Sequence, residues 1–464
     1  MIFSSSIFLY YFLPLFLGTY YLAPRRWRSL VIALFSYVFY GWWRPDFVLL
    51  MLISTGVDFF CGRRIVEAQE RGDTGKPFLL TSLAVNLGLL GYFKYANFGI
   101  DTLNLMLAQA GKEPVAWAHV VLPVGISFYT FQTLSYSIDL YWRRTEPVRN
   151  FTDFMCYVAM FPQLIAGPIV RYRTVAEQLH SRSHSREKFY LGVLWFQLGM
   201  VKKVLLADVL ADLADGAFGA GPAGPLDAWI GIVAYAFQIY FDFSGYSDMA
   251  IGLGLMIGFR LPINFNQPYR SESITDFWRR WHISLSAFLR DYLYIPLGGN
   301  RKGPRRTYIN LMLTMLLGGL WHGAAWTFVA WGAYQGLWLA AERWAGKRAP
   351  WARLPRPGRI ALTFVVVLGG WVFFRATDFS FALRYFAALG GAEGMFEHGN
   401  ALFVRPAHYL GFAVAALATW ALPTTQRLIY ERRPAFAWVL QGLFVLALLH
   451  LHYQDHVPFL YYQF

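Results

Sequence analysis

Long apolar runs separated by short polar segments dominate the chain. Several of them approach or exceed roughly 18 residues, the length at which an apolar helix crosses a bilayer. The pattern predicts apolar runs at 2–22, 29–43, 46–61, 77–94, 115–141, 151–170, 189–210, 228–258, 308–342, 360–375, 406–422 and 436–453. The run at 308–342 is long enough for two short crossings with a break near Gly323. We therefore predict an all-α polytopic membrane protein with about twelve crossings, in which residues 1–464 form one domain.

One of these runs is interrupted. The segment 151–170 contains Pro162 and the pair Gly167-Pro168, and proline breaks a helix. It also separates two basic loops, 142–150 and 171–188, so a full crossing would place one of them outside. We therefore expect a broken or re-entrant element, which a membrane protein tolerates only where other parts of the protein bury it.

Composition and charge support the membrane class. The chain of 464 residues is 56% hydrophobic and only 15% charged, against about 25% charged residues in a typical soluble domain. The net charge of +14 comes from basic residues in short loops between apolar runs, as the positive-inside rule describes, so we expect no nucleic-acid partner. The same bias places the N-terminus outside and the segment 259–306, with nine basic and three acidic residues, in the cytoplasm. The run 2–22 has no basic region before it and is expected to be a retained first helix.

The sequence lacks the residue patterns of a disulfide, a metal site and a serine-hydrolase triad. Cys61 and Cys156 lie in or beside apolar segments without metal-ligand spacing, and we expect no disulfide between them. No His-Glu-x-x-His motif appears and the ten histidines are scattered, so we predict no metal site. No Gly-x-Ser-x-Gly turn is present, which leaves a serine-hydrolase triad without support.

Acidic residues occur inside the apolar run 228–258. Gln238 and Asp242 are four residues apart and share one helical face, whereas Asp248 lies off that face. An aspartate at the centre of an inserted helix costs roughly 2.5–3.5 kcal/mol, so each must face protein, water or a cation. One interpretation is a structural ion pair with Arg260 or Arg279; the other is a role in lining a catalytic tunnel.

Two histidines are the candidates for catalysis. His322 lies within the run 308–342, where an ionisable residue is costly and indicates function. Histidine titrates near neutrality and is the usual acceptor of a hydroxyl proton, although a structural role is the alternative. His282 lies among tryptophans and arginines typical of a membrane interface, so we interpret Trp278 and Arg280 as interfacial anchors. His282 itself is either such an anchor or a second catalytic histidine.

Four passages then point to a known family. They are 161–171, 238–248, 264–301 and the Trp-His-Gly passage 321–323, with a weaker fifth at 373–376. Together they resemble the membrane-bound O-acyltransferase superfamily and, within it, the bacterial alginate O-acetyltransferase group. The resemblance implies a ring of tilted helices around a central funnel or tunnel, with His322 as the catalytic histidine and His282 as the second histidine of the pair.

The resemblance also implies an activity. An acetyl group would pass from a cytoplasmic thioester, acetyl-coenzyme A, across a bacterial cytoplasmic membrane to an extracytoplasmic polysaccharide such as alginate, through a partner protein and with no bound cofactor. Clustered arginines recognise phosphates, and the candidates for binding the anionic donor are Arg279, Arg280, Arg301 and Lys302. Polar residues expected to line or support the tunnel are Gln238, Asp242, Asp248 and Asn264.

Two other functions compete with acetyl transfer to a glycan. Asp242, Asp248 and His322 would suit a proton pathway in a transporter or channel equally well, but we find no inverted repeat of the kind that many transporters contain. Acylation of a lipid or protein from a long-chain donor would require a wide apolar tunnel.

Overall fold

The computed structural model describes residues 1–346, 349–431, 434–452 and 460. Within these residues the regular structure is helical, apart from one isolated β-bridge between Pro222 and Asn400. The all-α class is therefore confirmed. The chain forms two compact units, Met1–Val193 with Ala250–Pro262, and Leu194–Met249 with Ile263–Phe464. The single domain remains a prediction.

The first unit contains the helices of the N-terminal half. They are α1 (Leu13–Leu22), α2 (Arg28–Gly41), α3 (Asp46–Glu70), α4 (Lys76–Leu90), α5 (Ala96–Gln109), α6 (Ile126–Tyr141), α7 (Phe151–Ala159), α8 (Phe161–Leu164), α9 (Tyr172–His180) and the start of α10 (Arg186–Val201). Wider π-helical turns precede α1 at Phe8–Phe12 and join α4 to α5 at Gly91–Tyr95.

The second unit contains the remaining helices. They are α11 (Asp208–Gly219), most of α12 (Pro225–Met256), α13 (Ile274–Arg280), α14 (Ile283–Leu289), α15 (Gly303–His322), α16 (Trp326–Ala345), α17 (Arg356–Arg375), α18 (Phe379–Leu389), α19 (Pro406–Trp420), α20 (Thr425–Tyr430) and α21 (Pro434–His452). π-helical turns at Lys202–Ala207 and Arg290–Tyr294 continue α10 and α14.

Three helical segments among the described residues are long and apolar enough to cross a membrane: Lys76–Gln109, Arg356–Arg375 and Pro434–His452. The sequence predicts about twelve crossings. Over the part of the chain that the structure describes, most of the predicted runs therefore do not form helices that are both long enough and apolar enough to cross a membrane. In α12 the reason is its polar content. Gln238, Asp242 and Asp248 lower the mean hydropathy of this helix of 32 residues. The number of crossings remains a prediction.

The predicted interruption of the run 151–170 is confirmed. Helix α7 stops at Ala159, the short α8 follows, and no helix resumes until Tyr172. The whole stretch 160–170 is buried. Gly167 is required in this bend, because a Cβ there would lie 2.5 Å from the carbonyl oxygen of Pro162. Whether the element is re-entrant remains a prediction.

Two predicted boundaries were wrong. The segment 94–114, which the hydropathy pattern leaves between the apolar runs 77–94 and 115–141, contains α5, because the chain continues α4 through the π-helical turn. The predicted run 115–141 is helical only from Ile126, and Gly125 adopts a left-handed conformation with φ 78° that starts α6. Hydropathy alone does not locate such backbone changes, since apolar residues occur on both sides of them.

A buried polar cluster holds the first unit together. Asp58 of α3 is fully buried and accepts hydrogen bonds from Ser82 Oγ at 2.6 Å and Asn86 Nδ2 at 2.8 Å. Thr133 Oγ1 of α6 donates to Asn86 Oδ1 at 3.1 Å. The carboxyl group thus links three helices, and a satisfied polar network of this kind fixes how helices pack.

Candidate active site

His322 is the last residue of α15, and the packing of α15 on α16 fixes its position. A Cβ at Gly319 would lie 2.2 Å from the carbonyl oxygen of Phe328, and one at Gly332 would lie 2.5 Å from that of Met315. Only glycine allows two backbones to approach this closely. The predicted break near Gly323 is confirmed.

Aromatic side chains enclose the His322 ring. Its centroid lies 5.0 Å from Trp321, 5.1 Å from Trp331 and 5.2 Å from Phe374, all in edge-to-face geometry. Only 5% of the residue is exposed. The imidazole therefore lies in an apolar enclosure that excludes most water, where electrostatic interactions are stronger than in bulk solvent.

Trp278 supports this enclosure. Its Nε1 donates to Gln335 Oε1 at 3.2 Å, and its ring packs 5.7 Å from Trp331. Trp278 therefore contacts Trp331, one of the rings that enclose His322. The interpretation of Trp278 as an interfacial anchor did not predict this contact. Arg280, the other predicted anchor, forms an ion pair with Asp276 at 3.0 Å.

His282 lies between α13 and α14 and is completely buried. Its backbone is left-handed, with φ 42° and ψ 56°, a conformation that is uncommon outside glycine. Asn264 holds this turn: its carbonyl oxygen accepts from Ile283 N at 2.9 Å, and its Oδ1 accepts from Ser284 N at 3.2 Å. His282 Nδ1 lies 3.2 Å from the same Oδ1.

The structure brings the two histidines together. The ring centroids of His282 and His322 lie 6.4 Å apart at an interplanar angle of 67°. Phe243 of α12 packs edge-on against His282 at 4.7 Å. Two buried imidazoles this close together can contact the same small substrate group, as general acid–base chemistry requires. Their catalytic roles remain predictions.

Ion pairs and a helix cap tether α13, which precedes His282. The Glu342 carboxylate of α16 accepts from Thr275 N at 2.9 Å and from Thr275 Oγ1 at 2.7 Å. Glu272, in the loop before α13, pairs with Arg359 at 2.6 Å and Arg356 at 3.1 Å. The hydrogen bond from Arg359 and the charges of both arginines hold the pKa of Glu272 below its ordinary value.

The aspartates of α12 are paired with lysines. Lys203 Nζ lies 2.6 Å from Asp208 and 2.7 Å from Asp242, with all three side chains about 2% exposed. Lys202 Nζ lies 2.5 Å from Asp248. The interpretation of the α12 aspartates as ion-pair partners is therefore confirmed. Both lysines lie in the π-helical turn after α10, whose wider geometry places consecutive side chains differently from an α-helix.

The cations predicted for these pairs were wrong. Arg260 and Arg279 were the candidates, but the partners are the two lysines. Sequence reasoning missed them because they lie within the apolar run 189–210. The available signal was two adjacent lysines inside such a run, since buried charges need partners of opposite sign. Gln238 is also buried on α12, and its Oε1 has no hydrogen bond within the described residues.

The predicted donor-binding residues lie near the surface of the second unit. Arg279, Arg301 and Lys302 are exposed, whereas the guanidinium of Arg280 is already paired with Asp276. Exposed cations remain available to an anionic ligand, whereas a paired one is partly neutralised. Donor binding remains a prediction for all four residues.

A cavity of about 280 Å³ lies beside the Lys202–Asp248 pair. Most of its lining is apolar, and Tyr240 and Phe265 form part of its wall. Neither His282 nor His322 lines it, so it is not the space in which the two histidines would meet a substrate.

A helical protein with membrane-crossing segments and a buried histidine pair has the features of an intramembrane group-transfer enzyme. Residues 144–377 match the model of the membrane-bound O-acyltransferase family, a range that contains both histidines, the α12 aspartates and Asn264. The chain belongs to the membrane-bound O-acyltransferase family. It is therefore an O-acyltransferase, which removes the transporter or channel as a competing function.

Curated relatives resemble most of the chain. A probable alginate O-acetylase AlgI from Pseudomonas putida is 46% identical over the full length of both proteins. The one from Azotobacter vinelandii is 54% identical over 84% of this chain and 78% of its own length. A peptidoglycan O-acetyltransferase from Helicobacter pylori is 37% identical over 85% of this chain and 81% of its own.

Proposed function

We propose that this protein transfers acetyl groups from acetyl-coenzyme A, on the cytoplasmic side of the bacterial inner membrane, towards an extracytoplasmic polysaccharide. The observation that carries the proposal is the buried pair His322 and His282, with ring centroids 6.4 Å apart. The names of the relatives support an acetyl group and an envelope polymer as acceptor, with alginate as the first candidate.

His322 is the general base in this proposal. The acceptor hydroxyl oxygen attacks the thioester carbonyl while its proton moves to the His322 imidazole. The tetrahedral intermediate then collapses, the carbon–sulfur bond breaks, and the proton passes to the departing thiolate of coenzyme A. The position of His322 at the end of α15 favours this step, because the partial negative charge of a helix C-terminus stabilises an imidazolium ion.

The donor approaches from the basic side of the protein. The segment 259–306 contains nine basic and three acidic residues, and the positive-inside rule places it in the cytoplasm. Exposed Arg279, Arg301 and Lys302 are then available to the phosphates of coenzyme A. Arg280 contributes only if its ion pair with Asp276 opens.

A partner protein completes the transfer in this proposal. No segment of the sequence resembles a carbohydrate-binding domain, so direct modification of a long glycan is less favoured than a relay. The family resemblance implies a funnel, and in this proposal the donor and the relay acceptor meet there, beside His322 and His282. The carrier never crosses the membrane; only the acetyl group does.

The test uses membranes containing the wild-type chain or its His322→Ala variant, supplied with acetyl-labelled coenzyme A. We expect label transfer and release of free coenzyme A to fall by roughly 100-fold or more in the variant, since general base catalysis contributes about 10²–10⁴-fold. His119→Ala is the matched control, because His119 is exposed and its nearest charged partner is Asp101 at 3.5 Å.

Equal label transfer by the wild-type and His322→Ala proteins would overturn the assignment of the base. A wild-type protein that neither releases coenzyme A nor transfers label to a polysaccharide until an extracytoplasmic partner is added would support the relay. Rapid acetylation of a soluble glycan by this chain alone in liposomes would contradict it.

A further inference from the structure

The side chain of Asn264 has only one chemically consistent orientation. Its Oδ1 faces the backbone N–H of Ser284 at 3.2 Å and the Ser284 hydroxyl at 2.9 Å. A backbone N–H can only donate, so the atom that faces it must be the amide oxygen. The amide nitrogen then faces Ser247 Oγ of α12 at 3.2 Å, where a hydroxyl can accept.

This orientation fixes the proton on His282. Nδ1 of His282 lies 3.2 Å from Asn264 Oδ1, and a carbonyl oxygen can only accept. The proton of the neutral imidazole must therefore be on Nδ1, since a lone pair there would face the lone pairs of the oxygen. Because one ring nitrogen of a neutral histidine donates and the other accepts, Nε2 has the free lone pair.

That lone pair is buried and unused. Nε2 of His282 has no hydrogen-bond partner within the described residues, and the side chain is 0% exposed. Buried polar atoms in folded proteins are nearly always paired, and an exception indicates a role. Phe243 and Trp321 pack around the ring at 4.7 and 6.0 Å, so apolar neighbours leave the acceptor for a ligand that donates one hydrogen bond.

We propose that Asn264 is a positioning residue that holds His282 as the Nδ1–H tautomer, so that Nε2 accepts a hydrogen bond from a second hydroxyl of the acceptor, next to the one that receives the acetyl group. The reacting hydroxyl has only one proton, and His322 takes it. The ligand class is therefore an uncharged group with neighbouring hydroxyls, such as a diol, which Nε2 orients beside His322. This proposal excludes a role for His282 in stabilising the oxyanion that forms on the thioester carbon. An Nε2 without a proton cannot donate a hydrogen bond to that oxyanion.

The assignment also explains the strained backbone. The left-handed conformation of His282 costs of order 1–2 kcal/mol, and the main chain and side chain of Asn264 together hold residues 282–284 in this turn. A strained backbone conformation persists where many surrounding contacts hold it in place, and such residues are often found at functional sites. The role of His282 towards the acceptor rests on the proposed acetyl transfer, whereas its tautomer does not.

The first measurement is nitrogen NMR of the wild-type protein labelled with ¹⁵N-histidine in lipid bilayers. The resonances of His282 are those that disappear in a His282→Gln variant. We expect a protonated Nδ1 and a non-protonated Nε2 near neutral pH. A protonated Nε2 with a bare Nδ1 would overturn the proposal, whatever the protein's activity proves to be.

The second measurement compares variants of Asn264 in the coenzyme A release assay. Asn264→Leu has a similar volume but no acceptor, and we expect kcat to fall about 10- to 100-fold, by analogy with the loss of a residue that orients a metal-binding histidine. KM for acetyl-coenzyme A should change far less, because Asn264 would not contact the donor. Asn264→Asp keeps an acceptor oxygen and should recover a substantial part of the lost rate.

Ser247→Ala is the matched control, because it removes only the hydrogen bond to Asn264 Nδ2 and leaves Oδ1 in place. It should lower kcat by less than Asn264→Leu and leave the Nε2 resonance unshifted. Wild-type kcat in Asn264→Leu would refute the positioning role. If that variant does not fold, the wild-type NMR spectrum decides the question. A wild-type protein that releases no coenzyme A even with an extracytoplasmic partner and polysaccharide present would instead refute the proposed function and leave the tautomer to the NMR result.

Discussion

At the residue scale, the buried charges of Lys203, Asp208 and Asp242 are the feature that depends most on its partners. Lys203 lies between Asp208 and Asp242 with all three side chains about 2% exposed. Such a group persists because the opposite charges and hydrogen bonds offset the loss of water, and removing one partner leaves an uncompensated buried charge. The three residues therefore fix α12 against the turn that follows α10.

Replacing the central lysine should be far more damaging than replacing one aspartate. We expect Lys203→Met to lower the free energy of unfolding by about 3–5 kcal/mol, since it leaves two carboxylates facing each other. Asp208→Asn should cost less, because Lys203 keeps Asp242 as its partner. Thermal unfolding of both variants in detergent measures the difference, and an equal or reversed order would contradict this account.

Residue type alone pointed to His322 as a candidate, because an ionisable group inside an apolar run is costly and needs a reason. His282 stayed either an interfacial anchor or a second catalytic histidine until the family resemblance was considered. Residue type did not identify the partners of the α12 aspartates. Lys202 and Lys203 are far from Asp242 and Asp248 in sequence, and nothing local distinguishes their ammonium groups from those of Arg260 or Arg279. Such pairing depends on how helices pack.

At the scale of elements, the α15–α16 hairpin sets the position of His322. Gly319 and Gly332 allow the two backbones to approach, and α17 contributes Phe374 to the enclosure of the histidine. The hairpin therefore acts as one rigid support for the ring. A change at its tightest contact should move the histidine as well as weaken the packing.

Adjacent glycines of α15 provide a matched test. A Cβ at Gly319 would lie 2.2 Å from a backbone oxygen, whereas one at Gly318 would meet only the end of the Leu289 side chain, at 3.2 Å. We expect Gly319→Ala to lower stability by about 1–3 kcal/mol through overpacking and to reduce acetyl transfer. Gly318→Ala should stay within about 1 kcal/mol of wild type, because alanine also favours a helix.

Thermal unfolding and coenzyme A release, measured on the same preparations, distinguish the two effects. Similar losses in both variants would show that the backbone contact at Gly319 does not control the site.

The sequence predicted elements well where the signal was local. Pro162 and Gly167 marked the interruption of the run 151–170, and the break between α15 and α16 follows His322 as expected. The basic segment 259–306 was predicted only to lie in the cytoplasm, and no helix was predicted in it, yet it contains α13 and α14. Helices of seven residues give too little periodicity to detect, and these two are held by tertiary contacts such as the Glu342 cap.

At the scale of the whole molecule, the open question is how the chain crosses the membrane. The charge bias places the N-terminus outside and the segment 61–77 inside. We therefore expect the residues that follow α5, after Gln109, to lie outside. Both native cysteines, Cys61 and Cys156, are buried, so their reaction with a polar reagent should be low. A cysteine introduced at an exposed position then reports its own side of the membrane.

We expect Lys112→Cys to react with a membrane-impermeant maleimide added to intact cells, and Asp73→Cys to react only after the membrane is opened. Both positions are exposed, so access should depend on the side of the membrane and not on burial. The wild-type protein is the control for background labelling. The opposite pattern would reverse the orientation and place the basic segment 259–306 outside, where it could not bind a cytoplasmic donor.

The sequence by itself determined the class of protein, because a bilayer requires long apolar helices and places basic loops on one side. It also pointed to His322 as a catalytic candidate and, through the resemblance, to the family and to His282 as the second candidate. Only the tertiary structure decided which groups meet: the lysine partners of the α12 aspartates, the ring separation of 6.4 Å and the contact of Asn264 with His282. These contacts join residues far apart in the chain, and their geometry depends on the packing of whole helices, which local patterns do not encode.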